Sequence, residues 1–244
     1  MTAVHPTRRR ILTALAVAIA VLAGVNLVQR FGPAHAGLVI GPTVAVALVL
    51  LARRAGLSWD DLGLARRSWG KGAAYGGVAV VLVAGCYALA AALPVTRAVF
   101  LDARYHLQPG RALLTALLVI PLSTVLLEEV AFRGVLHGLV RRHRGTAWAT
   151  AVSSALFGLW HVLPSLHLDH ANQAVRGAEH HVGAAGPAHL LVIAAVVGFT
   201  ALCGLVLGEL RRRSGSVLAA AGLHWATNGL GVLVATTLWT LRVM

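Results

Sequence analysis

The stretch LLEEVAFRGVLHGL, residues 126–139, places Glu128, Glu129 and Arg133 inside an otherwise apolar run that begins near Ala112. A transmembrane helix needs about 20 mostly apolar residues, and this run supplies them. On insertion scales a charge at the helix centre costs about 2.5 to 3.5 kcal/mol, so three unpaired charges would cost on the order of 10 kcal/mol. Helix geometry offsets part of that: Glu129 and Arg133 are four residues apart, share a face and can form a charge-assisted pair. Glu128 points about 100° away from Glu129 and is left free for another task. Taken alone, the stretch reads equally well as an ion-pair cluster that holds helices together and as a functional site.

Working outward, the chain is that of a membrane protein. Of its 244 residues 58% are hydrophobic and only 12% are charged, too apolar for a soluble domain of this length. The formal charge of +13 would suggest nucleic acid as a partner for a soluble protein. Here the arginines sit between apolar runs, where the positive-inside rule accounts for them, and no nucleic-acid partner is expected. One lysine beside abundant Ala, Gly, Val and Arg points to a GC-rich bacterial genome. Cys86 and Cys203 lie within apolar runs and read as small packing residues, with no disulfide implied.

Seven stretches have the length and composition of spans, at roughly 11–29, 34–52, 72–93, 112–140, 146–163, 187–209 and 216–241. The expected fold is therefore all-α, a polytopic transmembrane bundle of seven spans, or eight if Gly229 and Gly231 break the last. Residues 1–244 form a single membrane domain. Basic residues fall in alternate connections. Arg8, Arg9, Arg10, Arg53, Arg54, Arg66, Arg67, Lys71, Arg141, Arg142, Arg144, Arg211, Arg212 and Arg213 are 14 on one side, against six on the other (Arg30, Arg97, Arg104, Arg111, Arg176, Arg242). This asymmetry predicts a cytoplasmic N-terminus in a multi-pass protein of a bacterial plasma membrane, with lipid as its surroundings. The opening Thr7-Arg-Arg-Arg10 with Ala34-His35-Ala36 resembles a signal peptide and its cleavage site. A retained first span is the preferred reading, because span two begins there. The loop from Pro164 to Gly186 holds His167, His170, His180 and His181 and reads as a solvated connection, since no regular ligand spacing supports a metal.

Two further stretches carry polar residues in apolar spans, Phe157-Gly-Leu-Trp-His161 in the fifth and His224-Trp-Ala-Thr-Asn228 in the last, and in each the first and last residues are four apart and share a helix face. At 1.5 Å per residue, Glu128 lies about 20 Å from Arg141, His161 about 25 Å from Arg144, His224 about 16 Å from Arg213 and Asn228 about 22 Å. A lone His or Asn on an apolar helix is commonly a packing or bridging group. Four such groups at a common depth on three helices favour a site. Asp102 and Asp169 lie in polar connections, so an intramembrane aspartyl pair is lacking. Ser123, Ser153 and Ser154 occur without a Gly-x-Ser-x-Gly elbow.

These three stretches resemble the motifs of the CPBP family, the CAAX prenyl protease 2 and bacteriocin-processing (Abi-type) intramembrane proteases. The family pattern is Glu-Glu-x-x-x-Arg, then Phe-x-x-x-His, then His-x-x-x-Asn or Asp. Here it reads EEVAFR at 128–133, FGLWH at 157–161 and HWATN at 224–228, within a catalytic core at about 112–241. The resemblance implies a helical bundle with a polar cavity opening toward the cytoplasm, in which peptide bonds of membrane-associated protein or peptide substrates are hydrolysed. It implies that Glu128 and His161 activate water, that His224 and Asn228 stabilise the oxyanion, and that Glu129 and Arg133 support them. The residue chemistry agrees, since peptide hydrolysis needs a base for water and donors for the developing oxyanion.

The same Glu128, His161 and His224 are an acceptable donor set for zinc. The metal-free glutamate mechanism is preferred because no His-Glu-x-x-His motif occurs, so no cofactor is expected. A reading from another class is a non-enzymatic membrane protein, either a transporter using Glu128 and His161 as a proton relay or a scaffold that retains the bundle, which the lack of a detectable repeat disfavours. Bacterial relatives suggest peptide maturation, bacteriocin self-immunity or envelope-protein processing, and the residues do not choose among these or fix an oligomeric state.

Overall fold

The computed structural model describes residues 8–33, 36–166, 177 and 185–241, without the side chains of 185–188. Every regular element among them is helical. The apolar stretches fold as α1 (Arg8–Phe31), α2 (Gly37–Arg54), α3 (Trp69–Ala92), α4 (Pro109–Arg144), α5 (Thr146–Trp160), α6 (Ala185–Ser214) and α7 (Val217–Thr240). Six of them are long and apolar enough to cross a membrane, which makes this a multi-pass membrane protein.

The exception is α5, whose 15 residues reach about 23 Å at 1.5 Å per residue, short of a hydrocarbon core of about 30 Å. Its end has a local cause. Pro164 has no N–H for the carbonyl of Trp160, four residues back, and its ring crowds that oxygen. Asn26 of α1 donates to the Trp160 carbonyl instead, at 2.9 Å. His161 leaves helical geometry (φ −88°, ψ 1°), and only a turn at Val162–Ser165 follows. His167, His170, His180 and His181 of the expected loop lie outside the described residues.

The last span does not break at Gly229 and Gly231. It widens into a π-helical turn at Ala226–Leu230 and continues as one helix. Two more π segments interrupt α4, at Thr115–Val125 and Glu129–Leu136. The first surrounds Pro121, which removes a ladder donor. The second coincides with the Glu-Glu-x-x-x-Arg motif, and widened turns of this kind are frequent at functional sites.

The helices approach closely where side chains are small, as expected where backbone packing must replace a hydrophobic driving force. A Cβ on Gly222 of α7 would stand 2.6 Å from the Cα of Gly76 on α3. No side chain can move to relieve that contact. Gly222→Ala is expected to force α3 and α7 apart and to cost about 1–3 kcal/mol, read as a lowered melting temperature in detergent.

The basic connections converge on one end of the bundle. After α2, Ser58 and Asp61 form a capping box, in which the Ser58 hydroxyl accepts from the Asp61 amide while Asp61 accepts from the Ser58 amide. The same carboxylate accepts from Arg141 at 2.6 Å and Arg142 at 3.0 Å, both at the end of α4. Arg211, at the end of α6, donates to the carbonyls of Asp60 and Asp61. Arg8 lies beside Arg142, His143 and Arg144. The connections that sequence assigned to one side are thus at one end in space.

Burial alone would raise the Asp61 carboxyl, but hydrogen bonds from Ser58 and Arg142 outweigh it and hold the group below its ordinary value of 3.8. A carboxyl held low in the fold stabilises fully at pH above that ordinary value, and the contribution is lost as pH falls below it through the lower folded value. Asp61→Asn is expected to cost about 1–3 kcal/mol at neutral pH. The gap between wild-type and variant melting temperatures should close below about pH 4.

Candidate active site

The core of α4 carries Glu128, Glu129 and Arg133, all fully buried. The expected pair forms: Arg133 Nη1 donates to Glu129 Oε1 at 3.1 Å. The guanidinium carbon also sits over the Phe157 ring, 4.0 Å from its centroid. That contact adds a cation–π attraction strengthened by the absence of water.

The same Glu129 oxygen bonds His224 Nδ1 at 2.7 Å. A carboxylate can only accept, so the imidazole carries its proton on Nδ1 and turns Nε2 the other way. That atom faces Glu128, whose Oε2 is 3.8 Å away. The remaining oxygen of Glu128 accepts from the indole of Trp160 at 3.0 Å, while Oε2 has no hydrogen-bond partner. Glu128 is therefore held by one oxygen, while the other stands unpartnered.

His161 sits where α5 ends, so it does not share a continuous helix face with Phe157 as its spacing implied. Its Nδ1 lies 2.8 Å from the Phe157 carbonyl, one of the acceptors that a helix terminus leaves open. With a carbonyl there, the proton is on Nδ1 and Nε2 is free to accept. Phe157 ties the set together: its ring stands edge-on to His161 at 4.8 Å and to His224 at 5.9 Å.

His161, His224 and Asn228 line one cavity of about 380 Å³, closed by Tyr87 of α3, Phe157 and the Phe199–Leu207 part of α6. The exposed ring of Phe199 stands in its wall, so the cavity reaches the outer face of the bundle. Glu128 and Glu129 are absent from this lining and lie behind His224. The cavity is mainly apolar, and His161, His224 and Asn228 are among the polar groups in its wall.

Two contributors escaped sequence reasoning. Trp160 carried a signal, because a buried indole N–H needs an acceptor. Tyr87, whose hydroxyl donates to the Thr227 carbonyl at 3.0 Å, carried none: an isolated tyrosine in a span has no partner visible along the chain. Two of the three serines have structural roles, Ser153 donating to the Phe132 carbonyl and Ser123 to that of Val119.

Residues 110–230, about half of the chain, match the family of Rce1-like type II CAAX prenyl endopeptidases. The chain belongs to this family. The matched segment contains all three motifs, whereas Tyr87 lies outside it. No curated protein and no solved structure matches the chain. For a CAAX-type endopeptidase fold, the zinc alternative can be tested on the donors themselves. Among the described residues no three His, Cys, Asp or Glu side chains are grouped so as to hold a metal. One atom of each of Glu128, His161 and His224 is committed, to Trp160, Phe157 and Glu129 respectively, and each residue keeps a second donor atom.

Proposed function

We propose that the protein is an intramembrane endopeptidase that uses Glu128 to activate water against a peptide bond of a membrane-associated protein or peptide. The observation that carries this reading is the unpartnered Glu128 Oε2, 3.8 Å from His224 Nε2 and buried. Glu128 Oε2 takes a proton from water as the water oxygen bonds to the scissile carbonyl carbon. His161 Nε2 accepts from the same water and orients it. The carbonyl oxygen becomes an oxyanion that receives the Asn228 amide and, from His224 protonated on both nitrogens, the Nε2–H. Glu129 holds the Nδ1–H of that imidazolium, and Arg133 offsets the second carboxylate. On collapse the C–N bond breaks, and Glu128 returns its proton to the leaving amine. A base and an oxyanion donor of this type each contribute about 10²-fold or more to rate.

The basic asymmetry orients the bundle with its N-terminus in the cytoplasm of a bacterial plasma membrane. Substrate then enters laterally past Phe199, so an apolar segment meets the polar wall without crossing water. Comparing membrane proteomes of cells carrying the intact protein and Glu128→Gln tests the activity: substrates should keep their uncut termini only in the variant. Identical termini in both would defeat the protease reading. A stoichiometric zinc requirement, seen as chelator-sensitive activity in metal-analysed protein, would replace the glutamate mechanism with a metal-assisted one.

A further inference from the structure

A second cavity, about 290 Å³ and polar, opens at the basic end of the bundle. Asp60, Arg67, His137, Arg141, Arg211 and Arg212 line it, drawn from the α2–α3 connection and the ends of α4 and α6. The carboxylates nearby do not neutralise these cations. Asp61 is shared between Arg141 and Arg142, Glu209 between Arg212 and Arg213, and Asp60 is occupied by Arg67. Six guanidiniums thus meet three carboxylates.

Two of the lining groups are buried and incompletely bonded. Arg211 is 5% exposed and its Nε has no partner; His137 is 3% exposed and neither ring nitrogen has one. Buried donors without acceptors are costly, and both lie on the wall of a cavity with an excess of positive charge. Gly63 makes room for the arrangement: it has φ +70°, and a Cβ there would collide with the Arg211 guanidinium.

We propose that this cavity is a binding site for a phosphate group, presented by an anionic phospholipid headgroup or as free phosphate. A planar guanidinium fork matches phosphate oxygens, and arginines at a membrane surface are drawn to anionic headgroups. The site is separate from the Glu128 centre and does not depend on the protease reading.

Full-length protein in detergent, probed by native mass spectrometry with phosphatidylglycerol and phosphatidylcholine, tests it. Retention of phosphatidylglycerol over phosphatidylcholine, about tenfold weaker in Arg211→Gln and in Arg212→Gln, assigns the headgroup. A melting temperature raised by inorganic phosphate at matched ionic strength, and unchanged by it in both variants, assigns free phosphate. Arg212 has a half-exposed side chain, so its variant stays informative should Arg211→Gln fold poorly. Equal uptake of the two lipids with no response to phosphate overturns the proposal, and so does binding that Arg212→Gln retains in full.

Discussion

Glu128→Gln is expected to slow substrate cleavage by about 10²–10⁴-fold while leaving protein abundance and melting temperature near those of the parent. The substitution is close to isosteric, and its carbonyl oxygen can still accept from Trp160, as Glu128 Oε1 does at 3.0 Å. What changes is the other position. An amide there cannot take a proton from water, and beside His224 Nε2 it offers a donor in place of an acceptor. The loss should appear in kcat, with KM little changed, because Glu128 is outside the cavity lining that receives substrate. Cleavage by purified Glu128→Gln at the parent rate would remove Glu128 from the mechanism.

Arg133→Met is expected to lower stability by about 3–5 kcal/mol, the usual consequence of taking one partner from a buried ion pair. At this chain size that corresponds to a fall in melting temperature on the order of 10 °C. The arginine is 2% exposed, and methionine preserves part of its contact with Phe157. The charge balance is what the variant loses: Glu129 keeps only His224. Removing that charge as well, in Arg133→Met/Glu129→Gln, should recover part of the loss, giving a coupling of at least about 1 kcal/mol in a double-mutant cycle. Thermal melts of the four proteins in one detergent decide the matter. Additive single and double effects would show that the pair is energetically silent.

The fold was largely legible along the chain because a bilayer imposes a one-dimensional requirement. Each span must satisfy its own backbone and present apolar side chains over a known length. That is why six of seven stretches emerge as helices long enough to cross. The seventh departs for a reason written in sequence but easily passed over, Pro164 four residues beyond Trp160. The alternation of arginines likewise anticipated that residues near Asp61, Arg142 and Arg211 would share one end. The widening of α4 and α7 into π turns was less visible, since apolar content does not report how the hydrogen-bond ladder is threaded.

Spacing also read the Glu129–Arg133 pair correctly, because residues four apart on one helix meet whatever surrounds them. Contacts between helices are another matter. That His224 bonds Glu129 while facing Glu128, that Trp160 holds Glu128, and that Tyr87 closes the cavity all depend on rotation and translation of separate helices. Sequence alone determined that polar groups of the right chemistry lie at one depth in a membrane bundle, because depth and periodicity are properties of a single chain direction. Only tertiary structure decided which imidazole nitrogen meets which carboxylate oxygen, because close packing at positions such as Gly76 and Gly222 sets the helices' relative registers.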